Sequence, residues 1–176
     1  MKKKPFLIII DGPMGGGKTT VSKLLQQKLH KKRGFTALVS LDSLKRIVSG
    51  YYMTSRDHLA TASQIGMVMS KEYLKKGMGV IVEKAFTRAK FLKLFIKPFR
   101  EKFSVFIYQI EAPEKMRFKR VMKRKLNPGV KKRQLKKRFF ENSKSYSNLR
   151  YKKAKVFDSS KLTPTQIVNR IMKDIK

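Results

Sequence analysis

Cysteine is absent from this chain, so neither disulfides nor thiolate metal sites are available to it. His30 and His58 are the only imidazoles, too few for a zinc centre of the usual kind. Carboxylates are scarce as well, with 11 acidic residues against 44 lysines and arginines. The longest purely apolar run is Phe6 to Ile10, far below the roughly 20 residues that a membrane-spanning helix needs. The opening Met1-Lys2-Lys3-Lys4-Pro5 is basic like the start of a signal peptide. The apolar stretch behind it is too short for the hydrophobic region of one and runs into Asp11 and a cluster of glycines. These absences predict a cytoplasmic protein with no membrane contact. No internal repeat and no Pro/Gly/Ser linker interrupts the 176 residues, of which 41% are apolar. That suits one packed domain, residues 1–176.

The formal net charge of +33 attracts phosphate-rich partners and steers them electrostatically. The excess is spread through the chain, as it would be if the whole surface had drifted basic. Charge alone therefore does not establish nucleic-acid binding.

Hydrophobic patterning predicts alternating strands and helices. Phe6 to Ile10, with three isoleucines, reads as a strand buried on both faces. Thr19 to Lys32 reads as a helix with Val21, Leu24, Leu25 and Leu29 on one face, ended by Gly34. Further strands are expected at Thr36 to Leu41, Val80 to Val82, Phe103 to Ile110 and Lys155 to Phe157. Further helices are expected at Ser43 to Ser49, from His58 (capped by Asp57) to Lys76, at Arg88 to Phe99, at Pro113 to Lys125, at Lys131 to about Leu149, and at Thr163 to Ile175. On the third of these, Phe91, Leu92, Phe95 and Ile96 are expected on one side, and Asn127-Pro128-Gly129 breaks the chain after the fourth. Such alternation means βαβ units: a three-layer α/β/α sandwich around a parallel sheet of about five strands. In such sheets ligands bind beyond the carboxyl ends of the strands. Asp11, Asp42, Glu83, Glu111 and Asp158 all fall at or just after predicted strand ends, which favours a site for a metal and for cationic or hydroxyl-bearing ligands.

Between the first strand and first helix lies Gly12-Pro13-Met14-Gly15-Gly16-Gly17-Lys18-Thr19, a match to G-x-x-x-x-G-K-[ST] in the setting that motif requires. Glycines let the backbone wrap phosphate oxygens, and the N–H groups at a helix N-terminus favour anions. Lys18 can reach the β- and γ-phosphates, the Thr19 hydroxyl can ligate Mg²⁺, and Thr20 can contact the α-phosphate. A nucleoside triphosphate, taken to be ATP, with Mg²⁺ is the expected cofactor set. The loop alone does not fix the reaction. A switch GTPase would carry N-K-x-D, which is absent, and an AAA+ or ABC machine would be longer.

The acceptor side carries a resemblance. Val39-Ser40-Leu41-Asp42-Ser43-Leu44-Lys45-Arg46 stands where small P-loop kinases of the zeta-toxin, polynucleotide-kinase and chloramphenicol-phosphotransferase type, often grouped as AAA-type kinases, carry a D-x-x-R element. Val80-Ile81-Val82-Glu83 is similar to their third strand. Glu111-Ala112-Pro113-Glu114, followed by Arg120-Val121-Met122-Lys123-Arg124, resembles the segment leading into their lid. Val156-Phe157-Asp158-Ser159-Ser160 resembles their last strand and turn near the adenine. The resemblance, which spans nearly the whole chain, implies that Asp42 is the general base on an acceptor hydroxyl. It implies that Glu83 holds Mg²⁺ through water, and that Lys45 (where arginine is usual), Arg46 and Arg88 contact the acceptor. Lys18, Arg120 and Arg124 would clamp the transferring phosphoryl group. Each has a plainer alternative: Asp42 as a helix cap, Arg88 as a solvated helix start, Arg120 and Arg124 as a solvated basic face.

Residues 113–155 hold eighteen basic residues against Glu114 and Glu141 and make a basic lid region, 113–150. Phe118, Phe139, Phe140, Tyr146 and Tyr151 are interleaved. That mixture suits single-stranded nucleic acid, and it equally suits core packing. The expected function is transfer of the γ-phosphate of ATP to a hydroxyl, with the 5′-hydroxyl of RNA or DNA among the acceptors. A nucleoside monophosphate kinase is the alternative, with Met53 to Met69 lining an acceptor pocket or the core. A nucleotide-gated RNA-binding protein is the alternative that is not an enzyme.

Overall fold

The computed structural model describes residues 4–47, 56–124 (side chains from residue 60), 131–146, 151 and 153–175. Five parallel strands form one sheet in the order β2-β3-β1-β4-β5: β1 (Phe6–Asp11), β2 (Thr36–Ser40), β3 (Gly79–Glu83), β4 (Ser104–Glu111) and β5 (Lys155–Asp158). β1 lies in the centre, with Ile8 opposite Ile81 on one side and Phe106 on the other. Its side chains alternate between two cores, as a strand buried on both faces must. Phe6, Ile8 and Ile10 pack with Val21, Leu25 and Leu29 of α1 (Lys18–Arg33) and with Ile167, Val168 and Ile171 of α7 (Pro164–Asp174). Leu7 and Ile9 pack on the other face, with Leu74 of α3 (Arg56–Lys75) and Leu92, Phe95 and Ile96 of α4 (Ala89–Ile96). Each fully buried Leu or Ile contributes roughly 1.5–3 kcal/mol, so these two layers dominate the stability. Helices on both sheet faces make the expected three-layer sandwich. Among the described residues no helix is long and apolar enough to cross a membrane.

Element ends differ from the sequence expectations for local reasons. Leu41 leaves β2 and opens α2 (Leu41–Arg46), whose continuation toward residue 49 lies outside the described residues. Arg56 is already helical, so Asp57 sits within α3 rather than capping it. α4 gives way to a 3₁₀ turn over Lys97–Phe99, where Pro98 supplies no N–H. Phe91 does not join its predicted partners: at 50% exposure it faces solvent while Leu92, Phe95 and Ile96 are buried. Pro113 is the cap of α5 (Glu114–Met122) and not its first residue. The basic helix α6 runs Lys132–Tyr146, with Asn127-Pro128-Gly129 outside the described residues. Thr163 caps α7 through a reciprocal capping box with Gln166. Met67 and Met69 of α3 pack on the sheet, while Met53 lies outside the described residues.

The basic segment turns its aromatics mostly inward. Phe139 is buried between α5 and α6 at 5.3 Å from Phe118, and Phe140 stacks on Phe118 at 5.6 Å. Tyr146 reaches past them to the end of β1, where its hydroxyl donates to Asp11 Oδ2 at 2.9 Å and accepts from Gln109 Nε2 at 2.9 Å. Replacing Tyr146 with Phe removes a donor from a buried carboxylate. We expect Tyr146→Phe to lower stability by roughly 1–3 kcal/mol, read as a lower urea midpoint; an unchanged midpoint would show that α6 is held by its aromatic contacts alone.

Candidate active site

The P-loop follows Asp11 directly, and its shape is set by close backbone approach. A Cβ on Gly12 would stand 2.2 Å from the Ile110 carbonyl oxygen, and one on Gly16 2.4 Å from the same atom. Gly15 has φ +82° and lies against α5, where a Cβ would meet the Arg117 carbonyl oxygen at 2.6 Å. Lys18 Nζ donates to the carbonyls of Gly12 at 2.9 Å and Pro13 at 3.1 Å, which holds the ammonium over the loop. Burial pushes the Lys18 pKa down, opposed by the carboxylates of Asp42, Glu83 and Asp11. Thr19 Oγ1 donates to Glu83 Oε1 at 2.5 Å. The hydroxyl and carboxylate expected to serve a metal are thus brought together from α1 and β3. A single carboxylate beside a hydroxyl, all oxygen, fits the way Mg²⁺ is held alongside phosphates. Among the described residues no group of three or more His, Cys, Asp or Glu could hold a metal.

Asp42 sits in the first turn of α2, half exposed, and accepts from the buried Lys45 at 3.1 Å. Burial raises its pKa, but Lys45, Lys18 and Arg138 outweigh burial and hold the carboxyl below its usual range. It is therefore ionised at neutral pH, and it shares the field of Lys18. Arg46 and Arg88 are both on the surface. Arg46 is exposed on α2, and Arg88 is exposed at the N-cap of α4 with its guanidinium 5.9 Å from the centre of the Phe91 ring.

The other strand-end carboxylates do structural work, which corrects the expectation of a five-membered acidic cluster. Asp11 is fully buried and accepts from the Phe86 N–H at 2.9 Å as well as from Tyr146. Asp158 accepts from the Ser160 N–H at 2.8 Å and so closes the turn after β5. The Glu111 carboxylate acts on the charge of Arg117, while its backbone carbonyl accepts from the Ser159 N–H at 2.8 Å. Of the three carboxylates that act on Lys18, Asp11 is committed to the framework, which leaves Asp42 and Glu83.

Arg120 and Arg124 do not share the helix face expected of them: α5 ends at Met122, so Arg120 lies on the helix and Arg124 beyond its C-cap. Arg120 donates to Ser159 Oγ at 2.8 Å, to the Ser159 carbonyl at 2.9 Å and to the Gly15 carbonyl at 3.4 Å. Ser159 Oγ donates in turn to the Gly16 carbonyl at 2.7 Å. Arg120 thus ties α5, the turn after β5 and the loop together. Arg124 is exposed, and its charge reaches Lys18.

Four residues at the site were not singled out from the sequence. Arg117 is buried and bonds the carbonyls of Ala112 at 3.0 Å and Met14 at 3.3 Å, and Ser143 Oγ at 2.8 Å. Asn142 Oδ1 accepts from the Met14 N–H at 2.8 Å, so both backbone groups of Met14 are engaged by α5 and α6. Arg138 of α6 lies within the field of Asp42. Lys84, directly after Glu83, is buried and donates to Ser63 Oγ at 2.9 Å. Arg117 stands three residues after Glu114, a spacing that marks a helical ion pair; nothing local marks the others.

Because Gly15 is pressed on α5 in a left-handed conformation, Gly15→Ala is expected to lower the melting temperature and weaken nucleotide binding together. Wild-type nucleotide affinity in that variant would contradict the tight seating of the loop.

Comparison with known proteins agrees with this geometry. Residues 7–146 match the family model described as AAA domain. The structure resembles a candidate kinase from Chloroflexus aurantiacus at 20% identity and TM-score 0.75, covering 99% of this chain and 97% of that one. It resembles the Mycobacterium tuberculosis APS kinase CysC, solved with AMPPNP and APS, at 14% identity and TM-score 0.72, covering 97% of each chain. It also resembles the Pnkp1/Rnl/Hen1 RNA repair complex at 16% identity and TM-score 0.63, covering 86% of this chain and 48% of that one. No curated protein matches the sequence. The chain belongs to the AAA domain family and carries the nucleotide-binding fold of the small P-loop kinases.

Proposed function

We propose that the protein is an ATP-dependent phosphotransferase that moves the γ-phosphate to a hydroxyl, within one domain spanning residues 1–176. The observation that carries this reading is the placement of Asp42. An ionised carboxylate shares the field of the P-loop lysine and is itself paired with a buried cation, Lys45. A plain nucleotide switch has no use for such a group. A carboxylate that stays ionised can orient an attacking hydroxyl and take its proton late in transfer. Lys18 and Arg124 are the cations suited to the charge on the transferring phosphoryl group. Arg120 serves by keeping the loop and the β5 turn in register. Thr19 and Glu83 would hold Mg²⁺, which supplies charge neutralisation on the phosphates when bound. Gly12 to Thr20 would cradle the phosphate chain, with Met14 contributing through its anchored position. Lys45 belongs to the acceptor side. Arg46 and Arg88, both exposed, would meet only an acceptor large enough to extend across α2 and α4. A polynucleotide 5′-hydroxyl is such an acceptor, and it is supported by the basic α5–α6 segment and by the likeness to the RNA repair complex. The packing of Phe118, Phe139 and Tyr146 into the protein removes most of the support for base stacking on this segment.

Transfer of label from γ-labelled ATP to a panel of 5′-hydroxyl oligonucleotides, nucleotides and small alcohols tests the reading; ATP binding with no acceptor labelled would sink it. Asp42→Asn is expected to reduce transfer by about 10²-fold or more while sparing ATP binding, and retained transfer would remove Asp42 as the base. Since the Asp42 carboxyl is held below its usual range, kcat/KM should stay flat from neutral pH down to about pH 4, the ordinary carboxylate value. An acid limb at pH 6 would assign the base elsewhere. Lys18→Ala should cripple nucleotide binding or turnover.

A further inference from the structure

Around Asp42 lie more cations than the chemistry above uses. Lys45 (4% exposed) and Lys84 (8% exposed) are both buried, and they repel one another. They come from different elements, Lys45 from α2 and Lys84 from the segment after β3, and Arg138 of α6 brings a third cation within reach of Asp42. Asp42 is the carboxylate they share, and Lys45 already holds it at 3.1 Å. Among the described residues Lys84 has no ion pair. Its hydrogen-bond partner is the neutral Ser63 hydroxyl on α3, and its ammonium also lies 5.6 Å from the centre of the Phe86 ring. A buried ammonium is costly unless an anion completes it. The P-loop does not supply the missing anion by proximity. The charges that Lys84 feels are Lys45 and Asp42, whereas Lys18 feels Asp42, Glu83, Asp11 and Arg124. Asp42 is thus the one carboxylate that acts on both Lys18 at the loop and Lys84 after β3.

We infer that Lys84, with Lys45 and Ser63, forms an anion subsite that takes a phosphate or carboxylate carried by the acceptor itself, so that the substrate is an anionic alcohol rather than a neutral one. The hydroxyl to be phosphorylated faces Asp42, and the anionic group anchors on Lys84 from the opposite side. The identity of the occupant as an acceptor rests on the phosphotransferase reading; the anion subsite does not, and the two can fail independently.

The test uses the full chain with its P-loop filled by Mg²⁺ and AMPPNP, so that added anion cannot enter there. Calorimetric titration with inorganic phosphate at physiological salt is expected to show one saturable site. Lys84→Met should weaken that site at least tenfold, while Lys84→Arg and the exposed-surface variant Lys93→Met should retain it. Absence of a saturable site, or equal binding by Lys84→Met with an unchanged melting temperature, overturns the subsite. Labelled-ATP transfer to matched pairs then identifies the anion: a nucleoside against its 3′-phosphate, a sugar against its phosphate, and a sugar against its acid. The anionic member should be preferred at least tenfold through KM, and Lys84→Met should erase that preference. An equal or better rate on the neutral members overturns the inference while leaving the kinase reading intact. Phosphate binding at Lys84 with no acceptor labelled would do the reverse.

Discussion

A carboxylate removed from water has to be satisfied by donors from somewhere, and at the end of β1 that carboxylate belongs to Asp11. Its donors come from the whole breadth of the fold: the Phe86 N–H beyond β3, the Gln109 amide of β4 and the Tyr146 hydroxyl of α6. Burial raises its pKa, and the Phe86 and Gly12 N–H groups, the Tyr146 hydroxyl and the Lys18 charge pull in the opposite direction. The next residue is Gly12, so whatever fixes Asp11 fixes the root of the P-loop. Through Tyr146 it also fixes the C-terminal end of the basic helix over the loop, and Asn142 and Arg117 then hold Met14 from the same side. A partly satisfied network of this kind would be worse than an apolar one, so the segments it joins are expected to order together.

The distribution of the few carboxylates decides the electrostatics. With so many cations on the chain, any carboxylate left unpaired near the site would be claimed by a lysine. Asp11 escapes by burial, Asp158 by closing a turn, and Glu114 by its place beside Arg117 and Ser143. Glu83 is engaged by Thr19 and Asp42 by Lys45. What results is a mouth with two carboxylates in a cationic surround: one suited to a metal, one suited to a hydroxyl. The arrangement also explains how neighbours in sequence part company. Arg120 is on α5 with Ser159 beside it, whereas Arg124 falls past the end of that helix, so one becomes a tie and the other stays exposed.

The framework was legible because its signals are local and periodic. β1 announces itself as five apolar residues in a row, and the helix after it by Val21, Leu25 and Leu29; the loop between them is identified by glycines, Lys18 and Thr19. All sit as the patterning predicts, because a strand buried on both faces and a glycine-rich turn have few other solutions. Phe91 was misplaced for the opposite reason. An apolar residue fits the periodicity of either edge of a helix stripe, and only the position of the sheet decides which edge is covered. Asp11 and Asp158 were grouped with Asp42 and Glu83 because strand-end position is visible in sequence while burial is not. Lys84, Arg138 and Asn142 carried no signal at all, since one lysine, arginine or asparagine among so many polar residues looks like any other.

By itself, then, the sequence determined the order of strands and helices, the phosphate-binding loop and the candidacy of Asp42, since each depends on residues adjacent in the chain or on a repeat of 2 or 3.6. Tertiary structure alone decided which charges meet. It paired Asp42 with Lys45 and brought its charge to bear on Lys18 and Lys84, bound Arg120 to Ser159, and laid α6 on the loop. Those contacts join residues far apart in sequence, and the electrostatic energies that give them meaning depend on distance and on exclusion of water. Neither quantity exists until the chain has folded.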